Sequence, residues 1–408
     1  MSSQTSNGRW LVLLPVVAAL VLTGLWFAGL PGTGGGSDSL VVYCAHDSVY
    51  ADAILKDFER QTGIHVDVRY DTEATKSLGL VNLIVAERQR PRCDVFWNNE
   101  LLGTVDLHAR GLLEPYKGTG WERLPEKFRD ADGYWVGFGA RLRVQIVNTQ
   151  QLSADDETVQ SLFTLEPSRA AVAKPLFGTT LTHYTVLWNA WGPERLKAWH
   201  HELRLRGVRE VDGNGAVKDL VAQGVCDAGL TDTDDFFVAL DEGRPVEMLP
   251  VRVFPLLPHF DGAEGRDEGA SRTEKAPLTL ALSPEDGGEG TKPGTKEKTP
   301  HPRPLPSKVR GEGTTPKTIC IPNTAAIIRG TKRVEAGRQL IDFLASAETE
   351  LALARSKSRQ VPLGPIDETQ LPDEVRRLKE WSADGIDLRP LLPARRECLQ
   401  WLKSEYLK

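Results

Sequence analysis

Three aspartates, Asp232, Asp234 and Asp235, fall within four positions of the sequence, directly after the short apolar stretch Val225–Leu230. Neighbouring carboxylates repel each other, a bound cation relieves the repulsion, and hard cations prefer oxygen ligands. Asp234 and Asp235 are therefore candidates to coordinate a metal ion or to pair with an ammonium group. The alternative is that the three acids cap the helix that follows and face water, a role open to Asp232 in particular. The spacing lacks the glycine and the distant glutamate of a calcium-binding loop, which excludes that motif.

Polar side chains also follow two other apolar stretches of the chain. They are His46, Asp47, Asn99 and Glu100. A structural role is the alternative to ligand binding for three of them. In that alternative Asp47 caps a helix and His46 is merely exposed. Glu100 is an acid in the first turn of a helix, where the helix dipole favours it.

A further set of candidates is hydroxylic or basic. Thr179, Thr180 and Thr182 open a predicted helix, whose free N–H groups favour an anion. Plain capping is the alternative for these threonines. Arg141 is suited to a bidentate contact with a carboxylate or a phosphate, and equally to a structural salt bridge.

A zinc site is not indicated. The five cysteines are scattered with no C-x-x-C pair. At most two disulfides could form between them in an exported protein, which leaves one thiol over. His200 and His201 are adjacent, and neighbouring helical residues point about 100° apart, so they make a poor chelate. We expect both histidines on a solvated helix face.

Composition and the N-terminal segment bound the class of protein. The 408 residues suggest two or three domains, and a net charge of −6 argues against nucleic acid as a partner. Trp10–Leu30 contains no charged residue and is long enough to cross a bilayer. It is either an uncleaved anchor or a long signal peptide, and both send the remainder across a membrane. Pro31–Ser39 then predicts a flexible spacer.

The elements that must position the candidate residues follow a strand, helix, strand order. Leu40–Tyr43 predicts a strand, and Ala51, Ile54, Leu55 and Phe58 define one helix face that ends at Gly63. Further predicted elements are the strand Ile64–Tyr70, the helix Leu80–Glu87, the strand Cys93–Trp97, the helix around Val217–Val221 and the strand Val225–Leu230. This order predicts an α/β protein with a parallel-rich sheet flanked by helices.

One long stretch breaks this pattern. Glycine, proline and charged residues dominate Glu264–Pro316, and such a segment cannot bury enough apolar surface to offset its ordering entropy. We predict a disordered low-complexity insertion over 263–316. Its "PHPRPLP" stretch is alternatively a polyproline ligand.

Several stretches of the chain resemble the periplasmic solute-binding proteins of ABC importers, in particular the ferric-iron-binding group (extracellular solute-binding protein family 1). The stretches are Leu40–Val68, Cys93–Tyr116, Gly133–Leu152, Val217–Asp235 and Thr318–Ser346. The resemblance implies a type II fold of two α/β lobes, with hinge strands between the lobes and the ligand in the cleft. The segments it implies are 1–37 as anchor or signal peptide plus linker, 38–140 as the first part of lobe 1, 141–262 as lobe 2, 263–316 as the insertion, and 317–408 as the hinge return and the C-terminal helices.

The resemblance also implies a function. The chain would be a substrate-binding receptor and not an enzyme, periplasmic or extracytoplasmic, with a possible attachment to the inner membrane. It would deliver its ligand to the permease and ATPase subunits of an importer. It would need no cofactor, because the bound Fe(III) and its synergistic anion are the transported ligand.

The implied ligand positions are carried over residue by residue. Ferric binders of this family commonly place two adjacent tyrosines where this chain has Asp234 and Asp235. The implied metal ligands are Asp234, Asp235, Glu100 and His46. The implied ligand-binding residues are His46, Asp47, Asn99, Glu100, Arg141, Thr179, Thr180, Asp234 and Asp235, with Arg141 and the two threonines beside the anion.

Two other functions stay open from the sequence. The first is a receptor for an organic cation or a phosphonate, with Trp97, Tyr184 and Phe236 lining the cleft. The second is a membrane-anchored, metal-dependent enzyme in which Asp232 and Asp234 hold a divalent ion that acts as a Lewis acid.

Overall fold

A computed structural model of the chain describes residues 39–71, 78–253 and 316–406. The predicted anchor or signal segment Trp10–Leu30 and almost all of the predicted insertion 263–316 lie outside the described residues. Within the described ranges, no helix combines the length and the apolar character needed to span a membrane.

The strands and helices of the described ranges are as follows. The strands are β1 (Leu40–Cys44), β2 (Val66–Tyr70), β3 (Val95–Asn98), β4 (Leu113–Glu114), β5 (Val136–Asn148), β6 (Ala170–Ala173), β7 (Arg209–Val211), β8 (Ala228–Asp232), β9 (Val246–Pro250), β10 (Arg252–Val253), β11 (Lys317–Thr318) and β12 (Cys320–Ile328). The helices are α1 (Ser48–Thr62), α2 (Leu78–Ala86), α3 (Leu101–Ala109), α4 (Thr119–Arg123), α5 (Asp156–Leu165), α6 (Gly178–Trp191), α7 (Pro193–Leu205), α8 (Asn214–Ala222), α9 (Thr233–Asp241), α10 (Val334–Leu344), α11 (Ala347–Arg355), α12 (Asp373–Ala383) and α13 (Leu392–Tyr406).

Ten of these strands form one sheet in the order β2-β1-β3-β12-β5-β8-β6-β7, with β4 paired to β12 and β9 paired to β5. The pairs β1–β2, β1–β3, β6–β7 and β6–β8 are parallel. The long strands β5 and β12 run antiparallel to their neighbours. The sheet is therefore mixed, with the parallel pairs that the alternation of strands and helices predicts in both halves and antiparallel pairs along β5 and β12.

Strand β5 carries the chain from one half of the sheet to the other. Its first part pairs with β12 as far as Leu142 opposite Cys320, and its second part pairs with β8 from Arg143 opposite Asp232. We call the half that contains β1–β4 and β12 lobe 1, and the half that contains β6–β9 lobe 2. Because β5 belongs to both, its middle residues lie at the junction of the lobes.

The two flanks of the undescribed segment 254–315 are adjacent. Strands β10 and β11 pair antiparallel, with Val253 opposite Lys317. The fold on either side of 254–315 is therefore continuous, which is compatible with a segment inserted into one connection.

Local patterning explains the elements that surround the site. The face of α1 predicted from the 3.6-residue period is buried, and Gly63 ends the helix with a φ of 73°, a conformation that glycine adopts without steric cost. Burying each such Leu, Ile or Phe contributes roughly 1.5–3 kcal/mol.

All five cysteines are buried and free, so the disulfides allowed by the sequence are not formed.

Candidate functional site

A small polar cavity lies where the two lobes meet. It has a volume of about 40 Å³, which is room for a few water molecules. Lobe 2 supplies the acid cluster at the end of β8 and the start of α9, together with the N-terminal residues of α6 and α8, while β5 supplies Arg141. Lobe 1 supplies Asp47 and Asn99. The cavity thus lies outside the carboxyl ends of strands in both lobes, the place where open α/β sheets bind ligands.

The three aspartates come together in this cavity. One carboxylate oxygen from each of Asp232, Asp234 and Asp235 lies within 4.8 Å of the others. Asp232 occupies the N-cap position of α9, but its side chain makes no capping hydrogen bond. Asp232 and Asp234 are both buried, so the alternative in which all three acids cap a helix and face water does not describe them.

Two arginines of β5 neutralise part of this acid cluster. Arg141 Nη1 lies 2.9 Å from Asp234 Oδ2, and its Nε lies 3.6 Å from Asp232 Oδ2. Arg143 is fully buried, and its Nη1 lies 2.8 Å from Asp232 Oδ1. Burial raises the pKa of Asp234, the charge of Arg141 opposes that effect, and Asp232 and Asp47 add to it. A further positive charge in the cavity would therefore stabilise the ionised form of Asp234.

Sequence reasoning missed Arg143 and Asn214. Arg143 is two positions beyond Arg141 on the same strand, so the period of two places both side chains on one face of β5, and that signal was available. Asn214 begins α8 and donates from Nδ2 to Asp232 Oδ2 at 2.9 Å and to Thr179 Oγ1 at 2.8 Å. Only the folded structure shows that Arg143 and Asn214 both donate to the carboxylate of Asp232.

The threonines at the start of α6 do not cap that helix. The N-cap of α6 is Phe177, without a side-chain capping hydrogen bond. Thr179 Oγ1 donates to Asp232 Oδ2 at 2.5 Å, and Thr180 Oγ1 donates to Asn214 Oδ1 at 3.1 Å. Helix α8 also lacks a side-chain cap. Two helix N-termini with uncapped N–H groups therefore border the cavity.

The remaining sequence-predicted residues divide between the cavity and its surroundings. Asp47 and Asn99 line the cavity, and Asp47, the N-cap residue of α1, makes no side-chain capping hydrogen bond. Glu100 caps α3 by accepting from the backbone N–H groups of Leu102 at 2.7 Å and Gly103 at 2.6 Å. Glu100 thus has a structural role, as the N-cap of α3 and not as an acid within its first turn.

His46 and Glu100 are not among the residues that line the cavity. His46 is buried, stacks on Trp97 at a ring distance of 5.5 Å, and has its Nε2 3.2 Å from Gln360 Nε2. The alternative in which His46 is merely exposed is wrong, because its side chain is buried. Of the four implied metal ligands, the structure brings together Asp234 and Asp235.

The aromatic residues proposed for an organic cation also lie apart from the cavity lining. Trp97 is fully buried against His46, and Tyr184 is buried with its hydroxyl 3.0 Å from His200 Nδ1. Phe177 is the aromatic residue that lines the cavity.

The expectation of a solvated histidine pair is wrong for His200. Its side chain is buried between Tyr184 and Tyr406, and burial lowers its pKa to about 4. His201 is exposed, as expected. The C-terminal helix α13, which carries Tyr406, covers His200, and no local pattern around the two histidines indicates that cover.

Comparisons with known proteins show which folds this architecture resembles. No protein-family model matches the chain. An uncharacterized protein of Haemophilus influenzae is 23% identical over 259 residues, which is 58% of this chain and 70% of that protein.

Solved structures match the fold over most of the chain. Iron-bound HitA from Pseudomonas aeruginosa is 19% identical and superposes with a TM-score of 0.59, covering 88% of this chain and 99% of that one. The apo ferric ion-binding protein A of Pasteurella haemolytica is 17% identical with a TM-score of 0.65, covering 90% and 98%. AfuA from Actinobacillus pleuropneumoniae, solved with fructose-6-phosphate, is 14% identical with a TM-score of 0.61, covering 90% and 98%.

These likenesses define the class of fold. The chain has the two-lobe α/β fold of periplasmic binding proteins, and its structural neighbours include ferric-iron-binding proteins. The resemblance inferred from the sequence is confirmed at the level of the fold.

Proposed function

We propose that the chain is the substrate-binding receptor of an ABC importer, which holds a small polar solute between its lobes and delivers it to the permease and ATPase subunits. The fold supports a receptor, because its solved neighbours are binding proteins. An extracytoplasmic location belongs to the same proposal, since delivery to a permease takes place outside the cytoplasm.

One observation carries the proposal. The guanidinium of Arg141 lies at the lobe junction, where Nη1 donates to Asp234 Oδ2 and Nη2 donates to the backbone oxygen of Asn99, each at 2.9 Å. A single buried side chain at the cavity thus contacts the acid cluster of lobe 2 and the strand end of lobe 1. Ligand contacts in this cavity would act directly on the closure of the lobes about β5 and β12.

Two ligand chemistries are compatible with a receptor of this kind. The first is a hard cation, Fe(III) foremost, with a small anion, and it is supported by three carboxylate oxygens that lie within 4.8 Å. The second is a charged organic solute, supported by the arginines that already neutralise Asp232 and Asp234. The receptor function does not depend on which chemistry is correct.

A ligand panel on the full-length chain tests the receptor function. A specific ligand stabilises the folded receptor by RT ln(1 + [L]/Kd), so the melting temperature rises with the logarithm of the ligand concentration once that concentration exceeds Kd. We expect at least one solute among Fe(III) with citrate, divalent metals, phosphonates, sugar phosphates and amines to raise it, and Asp234→Asn to abolish the shift. Turnover of a phosphorylated substrate with a divalent metal would instead support the enzyme.

A further inference from the structure

Five exposed cationic side chains lie together at the end of lobe 1 that is remote from the cavity. The turn after α2 supplies three of them, and the residues after β12 supply the other two. We call this set the basic surface, and its members are Arg88, Arg90, Arg92, Arg329 and Lys332. Strand β3 separates it from the cavity, because Arg92 precedes the strand and Asn99 follows it. The whole chain has a net charge of −6, so this concentration of positive charge is local.

Tertiary contacts hold the two segments of the basic surface together. The N–H of Ile328, the last residue of β12, donates to the backbone oxygen of Asp94 at 2.9 Å. Arg88, Arg92 and Arg329 line one shallow depression. Its volume is about 10 Å³, which is room for about one water molecule. The feature is therefore suited to a large partner that lies across it and not to a small solute.

Little of this positive charge is neutralised within the protein. Arg92 Nε is 4.0 Å from Glu87 Oε1, and Arg329 Nε is 3.9 Å from Glu114 Oε2, both too long for a hydrogen bond. The side chains of Arg92 and Arg329 are 76% and 51% exposed. The other three cations form no ion pair with any residue of the described ranges, and these are Arg88, Arg90 and Lys332.

Other carboxylates at this end of lobe 1 lie at a different edge of the sheet. Glu59 and Asp67 flank His65 at the start of β2. Strand β1 lies between β2 and β3. The positive charge of the basic surface is thus separated from these acids by a strand.

The basic surface has the chemistry of a phosphate-binding surface. Four of its five cations are arginines, whose planar guanidinium donates two parallel hydrogen bonds to one phosphate or carboxylate group. A partner that fits these side chains presents many anionic oxygens on a broad face. An anionic phospholipid bilayer and an acidic protein both have this property.

The point at which the chain enters the fold favours the bilayer. Strand β1 begins at Leu40, and Val41 exchanges two hydrogen bonds of 2.8 Å with Asp94, beside the basic surface. The predicted membrane segment Trp10–Leu30 is separated from Leu40 by the nine residues Pro31–Ser39. An extended chain spans about 3.3 Å per residue, so a membrane-inserted segment would keep this end of lobe 1 within about 30 Å of the lipid headgroups.

We infer that the basic surface binds the anionic phospholipid headgroups of the membrane into which the N-terminal segment inserts. A negatively charged leaflet attracts lysine and arginine side chains within roughly one Debye length, about 8 Å. The short tether raises the effective concentration of the basic surface at the bilayer. Because the cavity is at the other end of β3, this contact leaves the cavity free of lipid. The inference goes beyond the receptor function and does not depend on which solute binds.

Energy transfer between the protein and the lipid tests the inference. The full-length chain is incorporated into vesicles of phosphatidylcholine, either alone or with about one quarter phosphatidylglycerol, and a trace of headgroup-labelled lipid is the acceptor. The donor dye is attached at Gln89→Cys, an exposed position within the basic surface, while the five native cysteines are buried. We expect about twofold more transfer in the anionic vesicles, and high salt should remove the increase because it screens exposed charges.

A second donor position tests whether the contact is oriented. Leu205→Cys places the donor in lobe 2, at a residue that is 71% exposed. Transfer from this position should not increase when anionic lipid is added. Equal increases at the two positions would show that the whole chain adsorbs without a preferred face, and they would overturn the inference.

Charge variants of the chain labelled at Gln89→Cys test the arginines themselves. Arg88→Gln/Arg90→Gln/Arg92→Gln should abolish the increase in transfer. Arg88→Lys/Arg90→Lys/Arg92→Lys keeps the charge and should retain most of the increase, because the attraction to the leaflet depends on charge. Circular dichroism checks that each variant is folded, and the lysine variant keeps the inference testable if the glutamine variant is not.

A matched control removes the same charge from exposed positions of lobe 2. Arg195→Gln/Arg209→Gln/Arg244→Gln should leave the increase in transfer unchanged. Equal losses in the two glutamine variants would show that only net charge matters, and they would overturn the assignment to the basic surface. Equal transfer from Gln89→Cys in neutral and anionic vesicles overturns the inference outright, and an acidic protein is then the partner that these cations fit.

Discussion

Arg141 and Asp234 form a buried ion pair at the junction of the two lobes, with Nη1 2.9 Å from Oδ2. Both side chains are at most 8% exposed. A buried pair of this kind adds little net stability, but the loss of one partner leaves an uncompensated charge. The role of the ion pair is to position a side chain, because it holds the Arg141 guanidinium between the acid cluster and the backbone of Asn99.

Arg143 should be critical for folding. It is fully buried and compensates Asp232 at 2.8 Å. Arg143→Met leaves that carboxylate without its arginine, and we expect a loss of about 3–5 kcal/mol in the free energy of unfolding. Urea denaturation measures it. The double variant Arg143→Met/Asp232→Asn should recover part of the loss, and a single variant within about 1 kcal/mol of wild type would contradict the assignment.

Ligand binding should depend on pH through Asp234. Burial raises the pKa of this carboxyl, so the folded chain keeps the proton to a higher pH than the unfolded chain does. Asp234 therefore favours folding as the pH falls through its folded pKa toward the ordinary value of about 3.9. A bound cation favours the ionised form, so we expect the affinity for a cationic group to fall as the pH is lowered. Calorimetry at several pH values measures this dependence, and an affinity that rises toward acid pH would contradict it.

Acid should destabilise the fold through His200. Burial lowers its pKa from 6.5 to about 4. The folded chain therefore binds fewer protons than the unfolded chain between these values, and stability is lost as the pH falls from 6.5 to about 4. The maximum loss is on the order of 3 kcal/mol. His200→Gln should flatten the dependence of the unfolding free energy on pH in this range, and an unchanged slope would count against the buried neutral histidine.

Arg359 and Asp241 should stabilise the closed arrangement of the lobes from outside the cavity. Arg359 lies two positions before Val361, which pairs with Ala140 in the part of β5 that belongs to lobe 1. Its guanidinium contacts Asp241 of α9 at 2.9 and 2.7 Å. It also lies 4.7 Å from the ring of Phe237. Among the described residues other than glycine, Arg359 has the one positive φ, 44°. A conformation of this kind persists where surrounding contacts impose it.

The contribution of this ion pair is measurable by a double-mutant cycle. Partly exposed pairs contribute about 0.5–1 kcal/mol, so Arg359→Gly should weaken ligand binding about two- to fivefold. Asp241→Asn should have no further effect in that background. Arg376→Ala removes an exposed pair within α12 and is the matched control. Equal losses in the control and in Arg359→Gly would show that the pair does not act between the lobes.

The fold was predictable where the pattern is local. The buried face of α1 follows from a period of 3.6, and Gly63 ends the helix because its backbone is left-handed. The order of strands and helices then indicates a parallel-rich sheet. The pairing of β5 with both β12 and β8 depends on residues far apart in sequence, and no local period specifies it.

The site was predictable in composition but not in bonding. Asp232 is adjacent to its helix, which suggested a cap, yet its oxygens bond to Arg143, Thr179 and Asn214 from three other elements. Glu100 shows the reverse, because its carboxylate accepts hydrogen bonds from two nearby backbone N–H groups and caps its helix. Whether an aspartate or glutamate caps a helix or binds side chains of other elements depends on hydrogen-bond donors that only the tertiary fold brings close to it.

The most direct test is the distance between the lobes. Spin labels at Val49→Cys on α1 and Leu240→Cys on α9 occupy exposed positions, whereas the native cysteines are buried. Double electron–electron resonance on the full-length chain measures their separation with and without the solute that binds most tightly. We predict that the solute gives a shorter, narrower distance distribution, and that Arg141→Ala abolishes this change. A distribution that every bound solute leaves unchanged would contradict a receptor that closes on its ligand.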